Sequence, residues 1–293
     1  MQSFEKNINR LQGEKGKQWL ADLPRLIAQM GKIYDLSGLK PVENLSYNYV
    51  LSGFQGEQPI VLKLEIDNDA LKRESAALKA FTRFGVVTVL AESDGMLLLQ
   101  RAVSGGSLKS YFPKKDTEAI SITCQCLKQL HQAPILKSKA FPNIQDWLMI
   151  LNQDWPIPKS YLQKARALRD QLLQTSTKDV LLHGDLHHDN ILQSGDDWLV
   201  IDPKGVIGEA AYEVAAFIRN PMPELLTMDT AENIIHHRID LFATILDVAQ
   251  QRILDWCFVQ AVLSWCWAIE DGLDTSYFEN MTIKLEAISC IHK

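Results

Sequence analysis

The chain has 293 residues, 46% of them hydrophobic and 23% charged, an ordinary balance for a soluble globular protein with material for two lobes. Its formal net charge of −6 argues against a nucleic-acid partner, because phosphate backbones are met by basic surfaces, and is compatible with a cationic small molecule. Residues 1–19 hold no apolar run suited to a secretory signal, and no stretch approaches the ~20 apolar residues that cross a bilayer, so a cytoplasmic protein with no membrane partner is expected.

Trp19, Leu20, Leu23, Ile27 and Met30 fall near one face of a helix over 17–31. Strand-like runs at 41–51 and 60–66 flank a Gly-containing connection over 52–59, which reads as a hairpin with a longer loop. A helix follows over 68–84, with Asp67 or Asn68 placed to cap it and an apolar face of Ala70, Leu71, Ala77, Leu78 and Phe81. Strands over 86–91 and 96–100 surround the turn Ser93-Asp94-Gly95. Ser104-Gly105-Gly106-Ser107 is a small-residue break and the expected hinge. Beyond it, helices are expected over 116–132, 144–152, 159–175, 209–219, 230–248, 251–271 and 276–291, interrupted by short strands over 180–182, 191–192 and 198–201. The expected organisation is a β-rich lobe over 1–103 with a leading helix, then a helical lobe over 104–293. The five cysteines (Cys124, Cys126, Cys257, Cys266 and Cys290) have no metal-ligand spacing and read as free thiols.

Residues 183–190 read H-x-D-x-x-x-x-N, and an apolar run from Trp198 ends in Asp202. Kinases use this pattern to activate a hydroxyl and hold magnesium beside ATP. Asp185 is then the base that accepts the proton of an attacking alcohol, and Asn190 and Asp202 are the oxygen ligands that Mg²⁺ prefers. A turn-capping aspartate is the plain alternative for Asp185, and the joint match with Asn190 and Asp202 counts against it. His183, between leucines and glycine, reads as structural. His187 and His188 read as loop residues beside a cleft, one of which could touch substrate; as zinc ligands they lack a third partner.

Lys63 is a lone charge in the apolar run Ile60–Leu64 and needs a partner or a task. In the kinase pattern it contacts the ATP phosphates and is oriented by a helix glutamate, here Glu74, with Glu65 a nearby competitor. No G-x-G-x-x-G covers the phosphates. Residues 44–49 lie where that loop belongs, and Ser46 and Asn48 either cap phosphate there or belong to a plain β-turn. Gln100 to Val103 is the expected adenine-contacting segment, through backbone groups of Gln100 and Ala102. Lys204 is a second charge two residues past Asp202, read either as a phosphate neutraliser or as an exposed turn lysine.

These residues resemble the aminoglycoside phosphotransferase superfamily, and within it the streptomycin 6-kinase or aminoglycoside/hydroxyurea antibiotic resistance kinase family. Lys63, Glu74, the 183–190 loop and Asp202 carry the wider resemblance. The full 182–192 segment, Ile201-Asp-Pro-Lys204 in place of the Asp-Phe-Gly of protein kinases, the 97–102 segment and Arg238-Ile-Asp-Leu241 carry the narrower one, which covers most of 40–270. The resemblance implies an α+β, protein-kinase-like fold with a small antiparallel-β N-lobe, a mainly helical C-lobe and ATP between them. It also favours a functional role for Lys204. Where the family reads Gly-Asp-Pro-x-x-Asp, this chain has Gly208-Glu-Ala-Ala-Tyr-Glu213. Glu213 is expected to brace the catalytic loop, and Glu209 to affect the substrate rim.

The implied activity is ATP- and Mg²⁺-dependent transfer of the γ-phosphoryl group to a hydroxyl of a small molecule, an aminoglycoside such as streptomycin or another alcohol. A protein kinase fits less well, because helix is expected seven residues after Asp202, at Glu209, leaving no activation segment. A nucleotide-binding pseudokinase or interaction module is the alternative from another class, supported by the glycine-free phosphate loop. Glu270, Asp271 and Asp274, with Trp265 and Trp267, read as a solvated helix end and packing tryptophans, and His236-His237 as surface or interhelical residues.

Overall fold

The computed structural model describes residues 2–43, 45, 48–135 and 140–291. The chain opens with α1 (Gln2–Ile33), whose second half contains the expected helix. Its first half folds back at Gly13, where φ is 54° and ψ −132°, a conformation suited to glycine. That reversal brings the Phe4 ring to 6.1 Å from Trp19 and 5.5 Å from Tyr49.

β1 (Leu36–Pro41), β2 (Tyr49–Gln55), β3 (Gln58–Leu64), β4 (Val89–Ser93) and β5 (Met96–Gln100) form an antiparallel sheet in the order β1-β2-β3-β5-β4. β1 escaped the sequence reading because Leu36-Ser-Gly-Leu-Lys-Pro41 lacks apolar alternation. The hairpin expected to loop over 52–59 instead keeps pairing to Gln55 and Gln58, and Gly56, at φ 58°, makes a two-residue turn. Period-two alternation then sorts the faces. Ile60, Leu62 and Leu64 of β3, with Met96 and Leu98 of β5, join Phe4, Ile8, Leu23 and Leu51 in the core under α1. Lys63, Leu97 and Leu99 point the other way. The two leucines continue through α2 (Asn68–Ala80) into the core of the C-lobe. Asp67 is the α2 cap, accepting from the backbone of Asp69 and Ala70 at 3.0 and 3.1 Å.

Ser104–Ser107 is not a loose break. It is β6, paired with β8 (Ile191–Ser194), which pairs in turn with β9 (Asp197–Val200). The C-lobe helices are α3 (Asp116–Leu130), α4 (Ile144–Leu148), α5 (Lys159–Gln174), α6 (Val214–Ile218), α7 (Ala231–Leu246), α8 (Gln250–Glu270) and α9 (Ser276–Ile291). α8 is apolar on all sides because α5, α7 and α9 pack around it. By length and composition it passes as a membrane span, contrary to the sequence reading, but 83% of its apolar window is buried inside the structure. The helix expected over 209–219 is another correction. Val206–Glu209 is β10, antiparallel to β7 (Asp179–Leu182), a 3-10 turn follows at Ala210–Glu213, and only then does α6 begin. Cys124, Cys126, Cys257 and Cys266 are buried free thiols, each pushed up to about 12 by burial.

Candidate active site

The loop between β7 and β8 carries the motif, and buried polar groups fix its shape. His183 is fully buried, with Nε2 2.8 Å from the Ile201 carbonyl while Nδ1 accepts from the Asp185 amide at 3.2 Å. This pattern puts the ring proton on Nε2. Glu213 accepts the amides of His183 and Gly184 at 2.6 and 2.9 Å, so the longer acid still reaches the loop from the start of α6. Asn190 donates its side-chain amide to the Asp185 carbonyl at 2.8 Å, which leaves its Oδ1 for another partner. Gly184, at φ 88°, lies against Trp147; a Cβ there would be 2.9 Å from the indole.

Asp202 follows β9 with a φ of 58°, a strained conformation for a non-glycine residue. Its Oδ1 accepts from Lys63 Nζ at 2.8 Å and its Oδ2 from Lys204 Nζ at 3.0 Å. Lys63 also binds Glu74, so Glu74 rather than Glu65 is its helix partner. Burial alone would neutralise these groups. Asp202 and Glu74 outweigh it and raise the Lys63 pKa, while Lys63 and Lys204 hold Asp202 well below the usual carboxylate range. The Asn48 amide, oriented to satisfy its neighbours, accepts from Lys63 at 3.1 Å and donates to Glu65 at 2.9 Å. Burial pushes the Glu65 carboxyl up to about 7. A cleft of about 910 Å³ opens here, lined by Asn48, Lys63, Glu65, Asp202, Lys204 and Trp147 among others. Ser46 lies outside the described residues.

In the segment after β5, the amides of Gln100, Arg101 and Val103 are spent on Thr88, Pro59 and Ser194. Ala102, buried beside them, has neither its N–H nor its C=O committed among the described residues. Asp202 and Asn190 Oδ1 are hard oxygen donors of the kind Mg²⁺ prefers, and the depressed Asp202 pKa keeps that carboxylate anionic, so the residues present fit that ion.

Several expectations change. His188 does not face the cleft. It is fully buried, stacks on Phe217 at 3.8 Å, and is pushed down to about 4 by burial. Beneath it Arg238 holds Asp116 through two contacts of 2.7 Å, so the Arg238 signature anchors the loop from below. His187 does lie beside Asp185, with Nε2 3.8 Å from its Oδ2. Glu209 is no rim residue; it binds Arg252 and Trp256 at the base of α8. Trp265 is core, whereas Trp267 meets Trp147 edge-on at 6.0 Å. Two site residues went unseen in the sequence, Trp147 and Arg219. Arg219 Nη2 lies 3.4 Å from Asp185 Oδ1. Its signal was a lone charge after the apolar run Val214–Ile218, the same cue that marked Lys63.

The sequence profile described as aminoglycoside/hydroxyurea antibiotic resistance kinase matches residues 44–272. The chain belongs to this family. It is 30% identical over 234 residues to a streptomycin 3''-kinase of Klebsiella pneumoniae, covering 77% of this chain and 85% of that one. It is 24% identical over 283 residues to a streptomycin 6-kinase of Streptomyces griseus, covering 91% and 90%. Among solved structures, aminoglycoside phosphotransferase APH(4)-Ia superposes with a TM-score of 0.69 at 14% identity, over 90% of this chain and 97% of that one. The choline kinase LicA from Streptococcus pneumoniae gives 0.67 at 14% identity, over 90% and 99%. The fold is therefore protein-kinase-like, and the protein is a small-molecule phosphotransferase, an enzyme rather than an interaction module.

Proposed function

We propose that the enzyme moves the γ-phosphoryl group of ATP to a hydroxyl of a cationic aminoglycoside of the streptomycin type. The observation that carries this is the row Glu74, Lys63, Asp202, Lys204, in which two lysines and two carboxylates are ion-paired along one cleft beside the Asp185 loop. The free backbone groups of Ala102, next to Gln100, take the adenine edge. Lys63, fixed by Glu74 and beside Asn48, moves from Asp202 to the phosphates. Asn190 Oδ1 and Asp202 would hold Mg²⁺, which would supply positive charge against the phosphates.

Asp185 orients the acceptor hydroxyl and takes its proton as the new O–P bond forms and the bond from γ-phosphorus to the bridging oxygen breaks. Lys204 neutralises charge on the transferring group. The named streptomycin kinases support the acceptor class. The test is Mg-ATP with streptomycin, other aminoglycosides and choline, with products read by mass spectrometry. Phosphorylated streptomycin that disappears in Asp185→Ala is expected. Phosphorylation of choline alone, or full turnover by Asp185→Ala, overturns the reading.

A further inference from the structure

Asp185 is gripped from outside its own loop. Arg219 caps the C-terminal end of α6, and its guanidinium reaches back across the lobe. Nη2 faces Asp185 Oδ1 at 3.4 Å and Nη1 donates to Gln260 Oε1 at 2.9 Å. Gln260 is buried in α8 and gives its amide nitrogen to the Tyr212 carbonyl, so its oxygen is left for Arg219. The Tyr277 hydroxyl of α9 donates to the Arg219 carbonyl. Side chain and backbone of Arg219 are thus held by different helices. The second oxygen of Asp185 faces His187 at 3.8 Å, beyond hydrogen-bond distance, and has no closer partner among the described residues.

A carboxylate turns easily about its terminal torsion, which has a broad two-fold profile. A base that must meet one hydroxyl gains from losing that freedom. The planar arginine fork can hold two acceptors at fixed angles, which a lysine cannot. We propose that Arg219 is a positioning residue for phosphoryl transfer. It holds Oδ1 of Asp185, so that Oδ2 receives the hydroxyl proton, and it ties the catalytic carboxylate to α8 and α9. This rests on the reading of Asp185 as the base. The contact of 3.4 Å is long, as catalytic contacts often are before substrate binds.

The test uses the full chain with Mg-ATP, measuring ADP production with and without streptomycin. Arg219→Met is expected to lower kcat by about 100-fold, the scale set by an ångström of misplacement, with KM for ATP and streptomycin nearly unchanged. Low-millimolar guanidinium should restore part of the rate to Arg219→Ala and none to Asp185→Asn. Adding Arg219→Met to Asp185→Asn should cost nothing further. Unchanged kcat in Arg219→Met overturns the proposal, as does a full further loss in the double variant. A fully active Asp185→Asn sinks the base assignment instead, which separates the two failures. If Arg219→Met does not fold, Arg219→Lys is read in its place: reduced kcat with intact KM supports the role, and wild-type kcat overturns it.

Discussion

Lys63 and Asp202 lie 139 residues apart in sequence and meet at 2.8 Å across the interlobe cleft. β3 supplies the lysine and the second residue after β9 the carboxylate, so one ion pair joins the N-lobe sheet to the segment that leaves β9 in the C-lobe. Glu74 shares the same ammonium. Lys63 is therefore poised between two acids, and a phosphate that replaces Asp202 as its partner leaves the Glu74 contact in place.

Replacing Lys63 with Met should act on stability and turnover together. Glu74 would be buried with no cation, and Asp202 would retain only Lys204. Breaking a buried pair from one side costs roughly 3–5 kcal/mol. Thermal unfolding should show a clear drop, and kcat should fall by about 100-fold or more with loss of the phosphate contact. Lys63→Arg should not restore turnover, because a planar fork does not fit a site built for one ammonium between two carboxylates. Wild-type kcat in Lys63→Met would remove Lys63 from the nucleotide site.

Some of this site was legible in the sequence and some was not, for a physical reason. Lys63, Asp185, Asn190 and Asp202 stand in short motifs whose spacing reflects local backbone geometry, and a lone charge in an apolar strand announces itself. Arg219 and Trp147 reach the 183–190 loop from elsewhere in the chain, and no local spacing records such contacts. Glu209 and Glu213 look alike in sequence. One binds Arg252 and the other two loop amides, a difference made wholly by which way β10 and the turn after it run. β10 itself was hidden because Glu209-Ala-Ala-Tyr-Glu213 has helical propensity, while pairing of Val206 with Leu182 decides otherwise.

Glu65 should give nucleotide binding a pH dependence near neutrality. Its carboxyl titrates at about 7 because burial disfavours the charged form, with Lys63 only partly opposing. Below that value the group is neutral; above it a negative charge stands beside the lysine that would meet phosphate. KM for Mg-ATP should therefore rise as pH increases through about 7, and Glu65→Gln should flatten that rise. An identical pH profile in Glu65→Gln would show that the ionisation belongs elsewhere.

Asp116 should contribute to acid sensitivity. Burial pushes its carboxyl up, but contacts with His188 and Arg238 prevail and lower it to about 2. A folded value below the unfolded one means the stabilisation is complete above the ordinary carboxylate range and is lost as pH falls from about 4 towards 2. The shift corresponds to roughly 2 kcal/mol. Asp116→Asn should remove this limb from a plot of stability against pH and lower stability at pH 7, leaving Arg238 buried with an uncompensated charge. A variant whose stability still falls in parallel with the wild type over that window would assign the limb to other carboxylates.

The N-terminal helix should matter to the nucleotide as well as to the fold. Phe4 is fully buried in the same apolar cluster as Tyr49, the first residue of β2, and Leu45 of the glycine-free connection before it. Arg10 Nη1 lies 3.4 Å from the Gly272 carbonyl at the turn between α8 and α9, so the same helix touches both lobes. Leu45 and Tyr49, on either side of Asn48, are held by that packing. Phe4→Ala removes that packing at a cost of about 3–5 kcal/mol, enough to lower Tm by several degrees. KM for ATP should rise several-fold, with KM for the acceptor unchanged, whereas Phe4→Leu should retain most of both properties. A Phe4→Ala variant that melts early yet keeps its KM for ATP would confine the helix to a structural role.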